Sequence, residues 1–125
     1  MKPIATGICI LLILYLVLTP TPPEAPRVML FEGADKVVHA CMMAGLMLCV
    51  AFDRLRARLP LSPRSMLLAA LWVMAFGILT EQLQQASATP RTADPLDALA
   101  DWTGTILATA AILLRSRRIA AADSR

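Results

Sequence analysis

Four long apolar runs, at residues 4–18, 37–52, 66–79 and 102–114, leave little of this chain between them. Each is slightly shorter than the roughly 20 residues with which a helix crosses the hydrocarbon core of a bilayer. Each approaches that length when weakly polar neighbours are included. Runs that are apolar on every side provide no polar face for water. We therefore expect membrane-spanning helices rather than the alternative, a soluble helical bundle.

The low charge content and the short length support the same interpretation. Charged residues make up 17% of the chain, against roughly 25% in soluble domains. The 125 residues suffice for one core. We predict a single domain over residues 1–125 that is all-α and polytopic, with four transmembrane helices in a compact bundle and short loops. The predicted helices cover about residues 4–20, 36–54, 65–85 and 95–115, and a basic cytoplasmic tail covers 115–125.

The first apolar run has an alternative interpretation as a cleaved signal peptide. No small-residue cleavage motif follows it at the usual place. The prolines that follow, at positions 20, 22 and 23, are typical of a helix end and an extended loop. We expect the first helix to be retained.

The basic residues predict how the helices are oriented. Lysine and arginine next to membrane helices concentrate on the cytoplasmic side. Nine of the twelve basic residues fall on one side of the predicted helices: Lys2, Arg54, Arg56, Arg58, Arg64, Arg115, Arg117, Arg118 and Arg125. Arg27, Lys36 and Arg91 fall on the other side. Both termini are therefore predicted to be cytoplasmic, and the net charge of +3 is explained by membrane anchoring rather than nucleic-acid binding.

Most of the unusual polar residues fall at the opposite, outer ends of the predicted helices. They lie at the start of the second helix, the end of the third and the start of the fourth: Asp35, Lys36, His39, Glu81, Gln84, Arg91, Asp94, Asp97 and Asp101. We predict that they meet in one layer near the outer interface. Acidic residues inside membrane helices are candidates for a functional site.

The fourth predicted helix carries its acids on one face. Asp94, Asp97 and Asp101 follow a spacing of three and four residues, and the same face continues through Gly104 and Ala108. Small residues allow helices to approach closely in lipid. We expect this face to point into the bundle.

The single histidine has two interpretations. Asp35 lies one helical turn before His39, and a carboxylate in that position can fix the imidazole tautomer and raise its basicity. His39 would then act as a general base or a metal ligand. The alternative is a polar side chain that only bonds to a neighbouring helix.

The acidic residues also allow more than one role. Glu81, Asp94, Asp97 and Asp101 suit a hard divalent cation, and they equally suit acid–base work by crowded carboxylates. Asp94 precedes Pro95, so it is predicted to cap the fourth helix.

Two basic residues lie near these acids. Arg91 and Lys36 could hold an anionic group, and Arg91 could equally pair with Glu81 or Asp97.

These residues carry a family resemblance. The segment DKVVHA (35–40) resembles the D-K-x-x-H element of the VanZ-like membrane protein family. EQLQ (81–84) and RTADPLDALAD (91–101), followed by WTG (102–104), resemble that family's E-x-x-Q and R-x-x-D-x-x-D-x-x-x-N elements and its glycine. The chain departs from the family pattern at Asp101, where the family usually has asparagine.

The resemblance implies a multi-pass protein of the bacterial inner membrane, in a family named for teicoplanin resistance. We expect it to bind or process a polar-headed envelope ligand, such as a glycolipid, a lipid-linked precursor or a glycopeptide antibiotic. His39, Glu81 and Asp97 are the candidate catalytic residues. The candidate ligand-binding residues are Asp35, Lys36, Gln84, Arg91 and Asp101. No metal, cofactor or nucleic acid is assigned, and membrane lipids are the expected partners. A non-enzymatic scaffold, whose polar residues form a structural network, is the alternative.

Overall fold

Helices are the only regular secondary structure in the described part of the protein. A computed structural model describes residues 2–19, 33–87 and 94–125, and it contains no strand in these segments. The four helices are α1 (Ile4–Leu18), α2 (Ala34–Arg56), α3 (Pro63–Ala86) and α4 (Pro95–Asp123). The three later helices are long and apolar enough to cross a membrane, whereas α1, with 15 residues, is a shorter apolar helix. The all-helical fold class is therefore confirmed.

Two of the helices begin at capping signals that are visible in the sequence. The hydroxyl of Ser62 accepts a hydrogen bond from the amide of Ser65 at 3.2 Å, and α3 begins with Pro63. The carboxylate of Asp94 accepts one from the amide of Leu96 at 2.9 Å, and α4 begins with Pro95. Both side chains satisfy an amide that has no partner within its helix. The predicted capping role of Asp94 is confirmed.

Helix α4 continues further than its apolar run predicts. It ends at Asp123, about two turns beyond residue 115. The segment from Arg115 to Asp123 contains neither glycine nor proline and is rich in alanine and arginine, which favour helix. Most of the predicted basic tail is thus a helical extension of α4.

Contacts at the two ends of the bundle define an alternating arrangement. Near one end, Asp53 at the end of α2 accepts hydrogen bonds from Thr6 at the start of α1. Near the other, Gln84 at the end of α3 donates to the carbonyl of Val17 at the end of α1. Lys36 bonds Asp94, so α2 and α4 begin at this same end. Neighbouring helices in the chain therefore run in opposite directions.

The apolar residues divide between a core and an exposed outer surface. Met43, Met47 and Val73 are fully buried where the helices meet. Leu11 and Leu107 are more than 60% exposed and are typical of many outward-facing leucines and isoleucines. Soluble proteins rarely expose so much contiguous apolar surface. The outer surface of the bundle therefore suits contact with lipid chains.

Helices α2 and α4 form the closest pair in the bundle. A Cβ atom placed on Gly104 would lie only 2.0 Å from the carbonyl oxygen of Ala40, so the two backbones touch at this point. No side chain larger than hydrogen fits there. The predicted burial of the small-residue face of α4 is confirmed at Gly104 and Ala108.

We expect Gly104→Ala to destabilise the fold, because the new methyl group must push α4 away from α2. Overpacking of this kind typically costs about 1–3 kcal/mol. Gly45→Ala is the matched control, since an added Cβ meets nothing within 4 Å there. Thermal unfolding of both variants in detergent should show a loss of stability only for Gly104→Ala. Equal behaviour of the two variants would contradict the close approach.

Helix α1 is capped by a residue from another helix. Oδ2 of Asp53 accepts hydrogen bonds from the amide and hydroxyl of Thr6, both at 2.8 Å, and Oδ1 accepts from the amide of Ala5 at 3.2 Å. These amides lie in the first turn of α1, where no intrahelical partner exists. Asp53 therefore attaches the start of α1 to the end of α2.

Asp53→Ala should loosen α1 from α2, because the amides of Ala5 and Thr6 lose their acceptor. Cys9 on α1 and Cys49 on α2 lie near each other, so a short thiol crosslinker can report how closely the two helices pack. In a Cys41→Ser background, Asp53→Ala should lower the crosslinking yield. The control Asp123→Ala, at the end of α4, should leave the yield unchanged. An unchanged yield in Asp53→Ala would show that α1 is held by apolar packing alone.

Candidate functional site

A buried histidine–aspartate pair lies where α2 meets α4. Nδ1 of His39 is 3.2 Å from Oδ1 of Asp101. The side chains are 10% and 1% exposed, respectively. A carboxylate at Nδ1 holds the imidazole in the tautomer that leaves Nε2 free to accept a proton or bind an ion. His39 is thus oriented by a residue 62 positions away in the chain.

The second oxygen of Asp101 has no hydrogen-bond partner among the described residues. Oδ2 is buried and faces α3, where a Cβ placed on Gly77 would lie 3.0 Å from it. Glycine at position 77 therefore makes the space that this carboxylate occupies. An unsatisfied buried acceptor costs about 1–3 kcal/mol, so the fold retains an unfavourable feature at this position.

Glu81 and Asp97 complete a polar cluster around the pair. His39, Glu81 and Asp97 each have one side-chain nitrogen or oxygen atom that could coordinate a metal ion. These three atoms lie within 4.8 Å of one another. Glu81 is buried, and its Oε1 has no hydrogen-bond partner among the described residues. Because α3 and α4 are antiparallel, Glu81 lies level with Asp97, and one turn deeper Gly77 lies level with Asp101. Three helices thus contribute to this site, which we call the acidic cluster: His39, Glu81, Asp97 and Asp101.

A lysine borders the acidic cluster and joins it to the end of the bundle. Nζ of Lys36 lies 2.9 Å from Asp94 and 3.3 Å from Asp97, with Asp35 at 3.6 Å. The hydrogen bond from Lys36, followed by that from the Leu96 amide, holds the pKa of Asp94 below its ordinary value of 3.8. These contacts link the starts of α2 and α4.

The candidate site carries excess negative charge. The described residues of this layer include five acidic side chains and one lysine: Asp35, Glu81, Asp94, Asp97 and Asp101, with Lys36. Because Lys36 already bonds two of these carboxylates, it has little capacity left for an anionic ligand. The interpretation of Lys36 as a holder of an anionic head is therefore disfavoured by its surroundings.

The structure corrects the predicted partner of His39. Asp35 lies one turn away in sequence, but its side chain is 49% exposed and lies beside Lys36. The close approach of α4 to Ala40 brings Asp101 to the imidazole instead. No signal in the sequence alone ranks Asp101 above Asp35 as this partner. Gly77, which sequence reasoning missed, shows its role only through its distance to Asp101.

The remaining predicted ligand-binding residues differ in position. Gln84 is buried, and its Nε2 donates to the carbonyl of Val17 at 3.3 Å, which satisfies an acceptor in the last turn of α1. This gives Gln84 a role in packing. Arg91 lies outside the described residues.

At the far end of the bundle, two open clefts of about 450 and 590 Å³ lie beside Asp53 and Arg115, and neither includes the acidic cluster.

The cluster has two chemical capabilities. The oriented imidazole of His39, beside the carboxylates of Glu81 and Asp97, can accept and pass on a proton. The same three groups could hold a metal ion, since imidazole and carboxylate are common ligands of divalent ions. Both capabilities depend on the same residues, which come from α2, α3 and α4.

Lys36→Met should weaken the bundle at neutral pH, because it leaves Asp94 and Asp97 without their counter-charge. The lowered pKa of Asp94 means that its pairing stabilises the fold above pH 3.8 and that this contribution is lost as the pH falls through the lowered pKa. The stability difference between wild type and Lys36→Met should therefore shrink on acidification. Thermal unfolding in detergent from neutral pH downwards measures it, with Arg117→Met as the control. A difference that is independent of pH would contradict the pairing.

Comparison of the chain with protein families, curated proteins and solved structures finds no match. The resemblance to the VanZ-like family stays a prediction.

Proposed function

We propose that this chain is a VanZ-like integral membrane protein of the bacterial envelope that binds a polar-headed envelope ligand in the acidic cluster. The ligand is a glycolipid, a lipid-linked precursor or a glycopeptide antibiotic. The observation that carries the proposal is the buried His39–Asp101 pair, with Glu81 and Asp97 beside it. Buried ionisable groups without complete pairing are expensive in a membrane bundle and are typical of functional sites.

The proposed topology has four spans in the plasma membrane, with both termini in the cytoplasm. Three helices have the length and composition of a span. The fourth, α1, is about 22 Å long at 1.5 Å per residue and packs against the others. Most arginines lie at the end of the bundle away from the acidic cluster, which favours a cytoplasmic position for that end. The acidic cluster then faces the outer leaflet.

The proposed chemistry is proton transfer to or from the bound ligand. Asp101 orients His39, so that Nε2 is available to accept a proton. Glu81 and Asp97 lie close enough to pass that proton on or to stabilise the imidazolium. A general base in this position typically accelerates a reaction by roughly 10²–10⁴-fold.

The charge of the site indicates which ligand head it accepts. Carboxylates accept hydrogen bonds from hydroxyl and ammonium groups but repel phosphate. Lys36 does not reverse this preference, since its ammonium group is already bonded to Asp94 and Asp97. A sugar or amine-bearing head therefore fits the described residues better than a bare anionic head does.

A second candidate function is a non-enzymatic scaffold. The contacts of Lys36 with Asp94 and Asp97 favour it, because they join two helices and need no ligand. The unpartnered oxygens of Glu81 and Asp101 argue against it, since a purely structural network gains most when every buried polar group is paired. Substitution at the cluster distinguishes the two functions.

We expect His39→Gln and Glu81→Gln to abolish an envelope phenotype while the protein accumulates normally. Both variants keep size and hydrogen-bonding ability but lose the titratable group. The measurement is growth under a glycopeptide antibiotic, in cells that carry wild type, a variant or an empty vector. Membrane abundance is determined in the same cells.

Thr109→Val is the matched control, because Thr109 is buried in α4 and its hydroxyl bonds only within the helix, to the carbonyl of Thr105. It should behave as wild type. A parallel loss of phenotype and abundance in His39→Gln and Glu81→Gln would support the scaffold. Full protection by both variants would exclude a role for the cluster in resistance.

A further inference from the structure

Three ligand atoms from three different helices converge in the acidic cluster. The donors of His39, Glu81 and Asp97 lie within 4.8 Å of one another. Ligand atoms that share one ion at about 2.0–2.2 Å are separated from each other by roughly 3–4 Å. Side-chain adjustments of less than 2 Å would therefore close this set around an ion.

Glu81 provides a second, independent indication that a cation binds here. Its side chain is buried, with 8% of the residue exposed, and Oε1 has no hydrogen-bond partner among the described residues. A buried carboxylate oxygen without a hydrogen-bond partner is stabilised by binding a positively charged species. A cation would satisfy it without a change of fold.

The surrounding charges and contacts also suit a cation. Asp101 holds the imidazole of His39 through Nδ1, as carboxylates commonly do for histidines that bind a metal through the other nitrogen. Lys36 contacts Oδ1 of Asp97, which leaves the second oxygen of that carboxylate for an ion. The side chain of Asp97 is 16% exposed, so the site lies close to the aqueous end of the bundle.

We infer that His39, Glu81 and Asp97 bind one divalent transition-metal ion, with Asp101 as the residue that positions His39. One imidazole and two carboxylates suit Mn²⁺ or Zn²⁺, whereas sites for Mg²⁺ and Ca²⁺ use oxygen ligands alone. Three protein ligands leave coordination positions open for water or a ligand head. When the ion is bound, Nε2 of His39 coordinates it and no longer accepts a proton, so the metal centre replaces the proton-transfer role of these three residues.

The metal centre deepens the proposed function. Its biological role rests on that function, whereas the binding of the ion does not. A divalent ion offsets the negative charge of Glu81 and Asp97. The site could then also accept an anionic head, such as a phosphate, through the open positions of the ion. Ion binding itself is measured on purified protein without any envelope ligand, so its failure is distinct from a failure of the envelope phenotype.

Mn²⁺ is the probe of choice. The neighbouring cysteines Cys9 and Cys49 could capture Zn²⁺ elsewhere in the bundle, whereas Mn²⁺ prefers oxygen ligands. The full chain is purified in detergent without a histidine tag and titrated with Mn²⁺, with the free ion followed by its six-line electron paramagnetic resonance spectrum. We expect one bound ion per chain.

A measurement on the wild-type protein shows directly whether His39 coordinates the ion. His39 is the only histidine of the chain, so imidazole nitrogen coupled to bound Mn²⁺ can come from no other residue. Electron spin-echo modulation should show this nitrogen coupling. Its absence, or a lack of stoichiometric binding, would overturn the inference, and neither result depends on whether a variant folds.

Three substitutions separate a defined site from general attraction by acidic residues. Asp97→Asn should abolish stoichiometric binding, because Asp97 is a ligand. Asp94→Asn is the matched control, since Asp94 also bonds Lys36 and lies one turn away but outside the ligand set; it should bind as wild type does. Asp101→Asn should weaken binding by roughly 10–100-fold, as is typical for residues that orient a ligand. Equal weakening by Asp94→Asn and Asp97→Asn would show diffuse attraction only.

Discussion

The contact between the backbones of α2 and α4 determines the rest of this structure. At Gly104 and Ala40 the helices touch, because the glycine has no side chain to separate them. Ala40 directly follows His39 in α2 and Gly104 lies one turn after Asp101 in α4, so this contact also sets the distance between the imidazole and the carboxylate. Helix packing in lipid depends on such close approach, since apolar side chains gain little by leaving apolar surroundings. Packing and site geometry therefore have the same origin.

The polar end of the bundle combines two kinds of interaction. Lys36 and its aspartate partners are partly exposed, and they pair at the surface where water and salt weaken charge attraction. Deeper in the bundle, Glu81 and Asp101 keep oxygens without partners among the described residues. The outer group secures the helix ends, whereas the inner group has unused capacity to bind. This division favours a functional role for the inner group.

Much of the fold could be predicted from local signals. Apolar runs identified all four helices, and Ser62 and Asp94, each followed by proline, mark where α3 and α4 begin. The end of α4 was less predictable, because hydropathy marks the span and not the helix that continues past it into Arg115 and beyond. Topology and orientation relative to the membrane remain proposals, supported by the distribution of arginine.

By itself, the sequence determined which residues are available and on which helix ends they lie, because hydropathy and helical spacing act along one segment at a time. It therefore placed His39, Glu81 and Asp97 in one layer. Only the tertiary structure decided that Asp101, rather than Asp35, holds the imidazole. That choice depends on the distance and rotation between two helices. These are set by contacts between residues some sixty positions apart, which no local pattern encodes.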